Sequence, residues 1–283
     1  MRYKCHNCDA SLSFGSFIKD LDSVLYSQYS LEKYAENNST RQPNITPVIT
    51  FEEPVFKTQE EKLLDKILDR LDTLPEDHEV IQFCIKRRIP ENKFNQLYYI
   101  NNVKDITQLN DTYRESIKTE EPRLVLPFYD HNNQLSGVTC RAIRGETLRY
   151  ITVKVKDEVP LIFGLEYIDK KDSVYVVEGP IDSLFLDNCI AAAGTSFGKI
   201  GSLGIETSKL VLVFDNQPRN KEVCKIIEKN IDLGYNVVIW PQTIEEKDIN
   251  HMVIAGRDVK QVVRKNVYQG LTAKAKFMAW KRC

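Results

Sequence analysis

The 283-residue chain has no apolar run of bilayer length, and its opening, MRYKCHNC, has no signal-peptide apolar region. Both absences point to a cytoplasmic protein that does not enter a membrane. It also has almost no net charge, with 39 lysines and arginines against 40 aspartates and glutamates. Overall charge therefore indicates no partner, and only local clusters can. Its seven cysteines are scattered, apart from the close pair Cys5 and Cys8. An odd, dispersed set in a reducing compartment predicts free thiols rather than a disulfide framework and leaves the sequons at Asn38 and Asn44 inert. There is no internal repeat. The length allows two domains and at least one substantial core.

Residues 36–61, ENNSTRQPNITPVITFEEPVFKTQEE, hold three prolines, no glycine and no lasting periodicity, which reads as a linker. KLLDKILDRLDTL then places Leu63, Leu64, Ile67, Leu68 and Leu71 on one helical face. HEVIQFCIKRR suits a second helix that ends before Pro90. RLVLPFYDHNNQLSGVTCRAI reads as two strands around the polar turn DHNNQ, and RYITVKV as a further strand. From residue 173 the rhythm changes. The strands SVYVVEG, CIAAAG, KLVLVFD and YNVVIW alternate with the helices IDSLFLDN, PRNKEVCKIIEKNIDLG and KDINHMVIAG, the pattern of a parallel sheet with helices on its faces.

Several of these apolar strands lead into acids. Glu178 ends VYVV, Asp215 ends KLVLVF, and Asp248 follows VVIW in EEKDIN. Right-handed crossovers bring the carboxyl ends of parallel strands to one edge, which is where open α/β sheets place their ligands. A single strand-end acid is most simply a solvated terminus. Three acids on one rim would repel each other unless a cation sat among them. Hard oxygen donors in that position suit magnesium, and two such ions would activate a hydroxyl and stabilise a leaving pyrophosphate.

EGPIDS, VFDNQ and KDIN together resemble the motif series of the TOPRIM domain shared by bacterial-type primases, topoisomerases and some nucleases. The resemblance implies magnesium ligation by Glu178, Asp215 and Asp248, with Asp182 as a supporting acid. Where the family carries a second acid in D-x-D, this chain has Gln217, an amide that can ligate but adds no charge. His251 stands where an acid often follows KDIN. Over nearly its whole length the chain is similar to the DNA primases of T-even-like bacteriophages, through EPRLVLPFYD, CRAI…RYITV, VYVVEGPIDSLF, VFDNQPR and NVYQGLTAKAKF. That likeness implies a TOPRIM-type parallel sheet flanked by helices, preceded by a smaller α+β primase subdomain and a partial zinc ribbon. The corresponding layout is 1–35 half ribbon, 36–61 linker, 62–168 primase subdomain, 169–256 TOPRIM domain and 257–283 basic helix. It further implies synthesis of short RNA primers on single-stranded DNA from ribonucleoside triphosphates, in the cytoplasm of an infected bacterial host, with a hexameric replicative helicase as partner.

A primase must hold polyanions, and Arg141 and Arg149 fall on the family pattern for that role. Arg144 and Tyr150 lie beside them, and Lys86, Arg87 and Arg88 form a basic triplet suited to a template backbone. The plain alternatives are solvated surface charges and a core ring for Tyr150. The acid-free segment VVRKNVYQGLTAKAKFMAWKRC reads equally as a basic helix for nucleic acid or helicase and as a frayed tail. GTSFGK, residues 194–199, is one residue short of a phosphate loop and lacks its hydroxyl residue; its glycines suit a tight turn. Cys5 and Cys8 have the spacing of one zinc knuckle, and a tetrahedral site needs two more ligands. CHNCDASLSFGSFIKDL is similar to the second half of the primase ribbon, so zinc is expected only if the missing pair is supplied elsewhere. Two other readings stand beside the primase: a TOPRIM nuclease or topoisomerase, and a catalytically weakened relative that binds DNA or helicase.

Overall fold

The computed structural model describes residues 2–4, 11–37, 59–192 and 200–283. Cys5, Cys8 and the GTSFGK loop lie outside the described residues. The chain forms two compact units, Met1–Val55 and Phe56–Cys283.

In the smaller unit, β1 (Arg2–Lys4) pairs antiparallel with β2 (Ser11–Ser13), followed by α1 (Phe14–Leu21) and α2 (Ser23–Asn37). The Ser13 hydroxyl accepts from the Ser16 amide at 3.1 Å, satisfying one of the free N–H groups that open α1. Helix α2 runs to Asn37 and α3 (Gln59–Ile67) begins at Gln59, so both ends of the expected 36–61 linker are helical.

The larger unit holds two sheets. Strands β3 (Asp69–Arg70), β4 (Tyr98–Ile100), β5 (Arg123–Tyr129), β6 (Leu135–Ala142) and β7 (Tyr150–Lys154) form an antiparallel sheet in sequence order, with α4 (Glu79–Lys86) between β3 and β4. DHNNQ is the turn between β5 and β6: the Asp130 carboxylate accepts from the Asn132 and Gln134 amides, and Asn133 takes a positive φ of 56°. Strand β5 is buried on both faces. Leu124, Leu126 and Phe128 join the core shared with the second sheet. Val125 turns the other way, towards Val138, Cys140, Val153, Leu64 of α3 and Leu68 just past its end. Helix α3 stops at Ile67, so Leu71 leaves the expected helical face, enters a 3-10 turn and packs into the shared core instead.

Gly137 lies where β6 passes closest to its neighbours. A Cβ there would meet the Val153 carbonyl, fixed by the sheet, at 2.7 Å and a methyl of the buried Leu161 at 2.8 Å. Gly137→Ala should therefore cost about 2 kcal/mol through overpacking, read as a lower urea midpoint at unchanged slope.

The second sheet is built from β8 (Ile162–Phe163), β9 (Val174–Val177), β10 (Cys189–Ala192), β11 (Leu210–Val213), β12 (Asn236–Val238) and β13 (Val267–Tyr268), in the order β13-β12-β11-β9-β10-β8. The four central strands are parallel, and both edge strands are antiparallel to their neighbours. The connecting helices are α5 (Pro180–Ser183), α6 (Lys221–Asp232), α7 (Ile249–Ile254) and α8 (Val259–Lys265), and α9 (Gly270–Trp280) follows β13. This is the expected TOPRIM-type sheet.

The basic stretch at residues 257–283 is neither one helix nor a frayed tail. It forms α8, an edge strand and α9, and Val263, Ala273, Phe277 and Trp280 are buried in the shared core. Charge counting alone overlooked those four apolar anchors.

Candidate active site

Parallel pairing of β9 with β11 sets Val177 opposite Val213, so the segments that follow leave the sheet side by side. Glu178 comes next on one strand and Asp215 two residues beyond the other, and the Asp215 amide donates to Glu178 Oε1 at 3.4 Å. Behind this edge, Trp240 Nε1 donates to the Phe214 carbonyl at 2.8 Å, fixing the backbone from which Asp215 projects. Asp248 comes from the third segment as the N-cap of α7, where its Oδ1 accepts from the His251 amide at 2.8 Å and meets His251 Nδ1 at 2.7 Å.

Asn216 joins two of these segments. Its amide donates to the Lys247 carbonyl at 2.7 Å, and its side chain donates to the Ile244 and Glu246 carbonyls. The loop bearing Asp215 is thereby fastened to the one bearing Asp248. Asp182 lies in the first turn of α5, where Gly179 leaves it room: a Cβ on Gly179 would stand 2.6 Å from its carboxylate. Asp182 Oδ1 accepts from the Asn250 amide at 2.9 Å.

The electrostatics follow from this crowding. Glu178 reaches solvent, yet desolvation by the surrounding protein and then the charge of Asp215 push its carboxyl above the ordinary range. Burial pushes Asp215 up, with Asp248 adding to the rise, against relief from Gln217 and Lys247. Burial, followed by the charge of Asp248, lifts Asp182 to about 7. Lys247 Nζ lies 3.7 Å from Asp215 Oδ2, a long contact made by an exposed side chain.

The predicted acids therefore share one edge and feel one another's charge. They do not close on a single point: among the described residues no group of three acidic, histidine or cysteine side chains stands in metal-holding geometry. Asp215 is turned to Gln217 and Lys247, and Asp248 to its helix. The donor set nonetheless fits a divalent cation, because it consists of hard oxygens, and the crowding that raises Glu178 and Asp215 is a cost that positive charge would relieve. Gln217 differs from its expected part. Its Nε2 donates to Asp215 Oδ2 at 3.1 Å while its Oε1 accepts from Asn220, so it steadies Asp215 rather than presenting an oxygen beside it.

A cleft of about 680 Å³ opens beside Asp248, with Lys86, Arg87, Arg141, Arg149 and His251 among its lining residues. Arg141 lies over the Tyr150 ring, 4.7 Å from its centroid, a cation–π contact that leaves the ring neither free nor in the core. Arg144 pairs with Glu79 through two bonds of 2.6 and 2.8 Å and does not line the cleft. Arg88 takes a positive φ of 57°, and its guanidinium donates to the Val253 carbonyl at 3.0 Å, holding α7; it is not among the residues lining the cleft. Sequence reasoning did not single out Asn216, Lys247 or Asn250. Each lies within or beside VFDNQ or KDIN, and that proximity was the available signal.

A parallel sheet with acids at its carboxyl edge, set against an antiparallel sheet with a cation-lined cleft, is the architecture of a primase catalytic core. It superposes on a DnaG primase catalytic domain bound to single-stranded DNA with a TM-score of 0.54 at 15% identity, covering 78% of this chain and 82% of that one. It superposes on the zinc-binding and RNA polymerase domains of the Aquifex aeolicus primase with a TM-score of 0.50 at 16% identity, covering 93% and 73%. At these identities the likeness concerns the fold. No protein-family profile matches the chain. The DNA primase of Enterobacteria phage T4 is 31% identical over 287 aligned residues, 95% of this chain and 79% of that protein. The chain belongs to the DNA primase family of T-even-like bacteriophages.

Proposed function

We infer that the protein is a DNA-directed RNA polymerase that makes short RNA primers on single-stranded DNA by magnesium-dependent nucleotidyl transfer. The observation that carries this reading is the adjacency of the acidic edge and the cationic cleft, which meet at α7: Asp248 caps that helix, and His251, one turn on, lines the cleft. Lys86, Arg87, Arg141 and Arg149 bind template phosphates or the triphosphate of a ribonucleotide. Glu178, Asp215 and Asp248 would hold the metal, and Gln217 and Asn216 keep the Asp215 loop in place. Magnesium bound there supplies charge neutralisation for the pyrophosphate and acidifies the attacking 3′-hydroxyl. The side chains then need only orient the two reactants, without an obligatory protein base.

Incubating the protein with single-stranded DNA, ribonucleotides and magnesium should give short RNA. Template cleavage would favour the nuclease reading, and no product, with or without a helicase, the weakened relative. Gln217 is the observation that keeps the last in view. Gln217→Glu puts a second charge beside Asp215 in place of a donated hydrogen bond. It should lower the magnesium concentration for half-maximal synthesis roughly fivefold, on the basis of about 1 kcal/mol for one charge at a solvent-screened rim.

The hexameric helicase as partner, and the infected host cytoplasm as the place of action, rest on the family resemblance. Among the described residues no helix is long and apolar enough to cross a membrane. Zinc ligation by Cys5 and Cys8 remains conditional on a second pair of ligands.

A further inference from the structure

The acidic edge and the cationic cleft come from different sheets, and their relative position must be maintained for both to act on one substrate. Asn250 sits at the joint. It is 4% exposed and lies in the first turn of α7, two residues after Asp248. Its backbone amide donates to Asp182 Oδ1 at 2.9 Å. Its side chain points towards the antiparallel sheet's own helix: Oδ1 accepts from Arg87 Nη1 at 2.6 Å, and Nδ2 donates to the Arg87 carbonyl at 2.8 Å. One residue thus ties the acid Asp182, the α7 turn that Asp248 caps, and both the side chain and the main chain of a cleft arginine.

We propose that Asn250 is a positioning residue that acts through Arg87, setting the cationic wall of the cleft at a fixed distance from the acidic edge. The proposal rests on the primase reading and deepens it. Arg87 needs such a hold, because burial and the nearby Arg141 both disfavour its charge. The Asn250 bond fixes the guanidinium in place before a phosphate arrives, so ordering does not have to occur on binding. The bond to the Arg87 carbonyl also fixes the end of α4, and with it Lys86. Arg88 fastens the same corner to Val253 independently, so loss of Asn250 loosens Arg87 without detaching α4 from α7.

The test is a double-mutant cycle read by fluorescence anisotropy of a labelled single-stranded DNA oligonucleotide with chelator present, so that metal binding plays no part. Asn250→Ala should weaken DNA binding about tenfold, the scale of a lost hydrogen bond to a charged group. It should have almost no further effect in an Arg87→Ala background. In priming assays the same variant should raise KM for template by a similar factor while kcat stays within about threefold, because the metal-holding acids are untouched. Asn250→Asp keeps the acceptor for Arg87 Nη1 and should recover much of the binding. If the alanine variant does not fold, Asn250→Leu, similar in volume and without either polar atom, carries the same cycle. Unchanged DNA affinity in Asn250→Ala, or an equal loss with and without Arg87, overturns the proposal. Wild-type protein that binds no single-stranded DNA would overturn the primase reading itself.

Discussion

Asp215→Ala should lower primer synthesis by about a thousandfold and raise the thermal unfolding temperature of the same protein. The first effect follows from the charge that Asp215 would supply to a cation held at the proposed site. A bound cation contributes several kcal/mol to the transition state, and each 1.4 kcal/mol is a factor of ten. The Asp215 carboxylate acts on Glu178 through its charge and feels the charge of Asp248 in turn, so its loss reaches both remaining acids. The second effect comes from the direction of the pKa shift. Burial raises Asp215 above its ordinary value, so at neutral pH the folded state holds a carboxylate that the unfolded state holds more comfortably. Stability contributed by such a group is greatest at low pH and declines as pH rises through the raised value. Removing the acid removes that penalty. Opposite movements of activity and stability, measured by primer yield and scanning calorimetry, exclude misfolding as the cause. A variant that primes within tenfold of wild type would remove Asp215 from the site, and one that loses both activity and stability would make it a structural residue.

Trp280→Ala should cost about 3–5 kcal/mol, the range for truncating a buried aromatic side chain. Trp280 is 5% exposed near the end of α9, packs against Phe277 and donates through Nε1 to Asn216 Oδ1 at 2.9 Å. Asn216 is the residue that staples the Asp215 loop to the Asp248 segment, so the loss reaches the candidate metal site as well as the core. Denaturant titration should show a lower midpoint, and priming should fall at temperatures where the variant is still folded. Trp280→Phe keeps most of the apolar contact and loses only the donor. It should be much closer to wild type in stability while still showing the priming defect. A cost below 1 kcal/mol for the alanine variant would mean that α9 contributes little to this core.

These two residues also mark what a local sequence pattern carries and what it leaves out. Asp215 was legible because an apolar run ending in an acid is a local pattern, and parallel connections bring such ends to one edge. The DHNNQ turn and the pairing of β5 with β6 were legible for the same reason, being set by residues within a few positions of one another. Trp280 was hidden. The segment around it was read from its lysines and arginines, while its place depends on Phe277, on Asn216 sixty-four residues earlier, and on a two-residue edge strand too short to show a period.

The cationic residues divide in the same way. Lys86, Arg87 and Arg88 look equivalent along the chain, but Arg87 and Lys86 line the cleft while Arg88 turns back to Val253. Arg144 is paired with Glu79, whereas Arg141 lies over the Tyr150 ring and lines the cleft. Asn250 carried no functional mark because its partner Arg87 lies 163 residues away.

The alternation of strands and helices and the run of acids at strand ends were legible from periodicity, and the likeness to phage primases from the quoted motifs, because backbone pairing and burial act on short stretches whose pattern survives in one dimension. Which cation faces the cleft, which amide orients an acid, and how the acidic edge is held to the basic wall were decided by the folded chain alone. Those assignments depend on hydrogen bonds of about 3 Å between groups far apart in sequence, and no local pattern encodes which distant group will arrive.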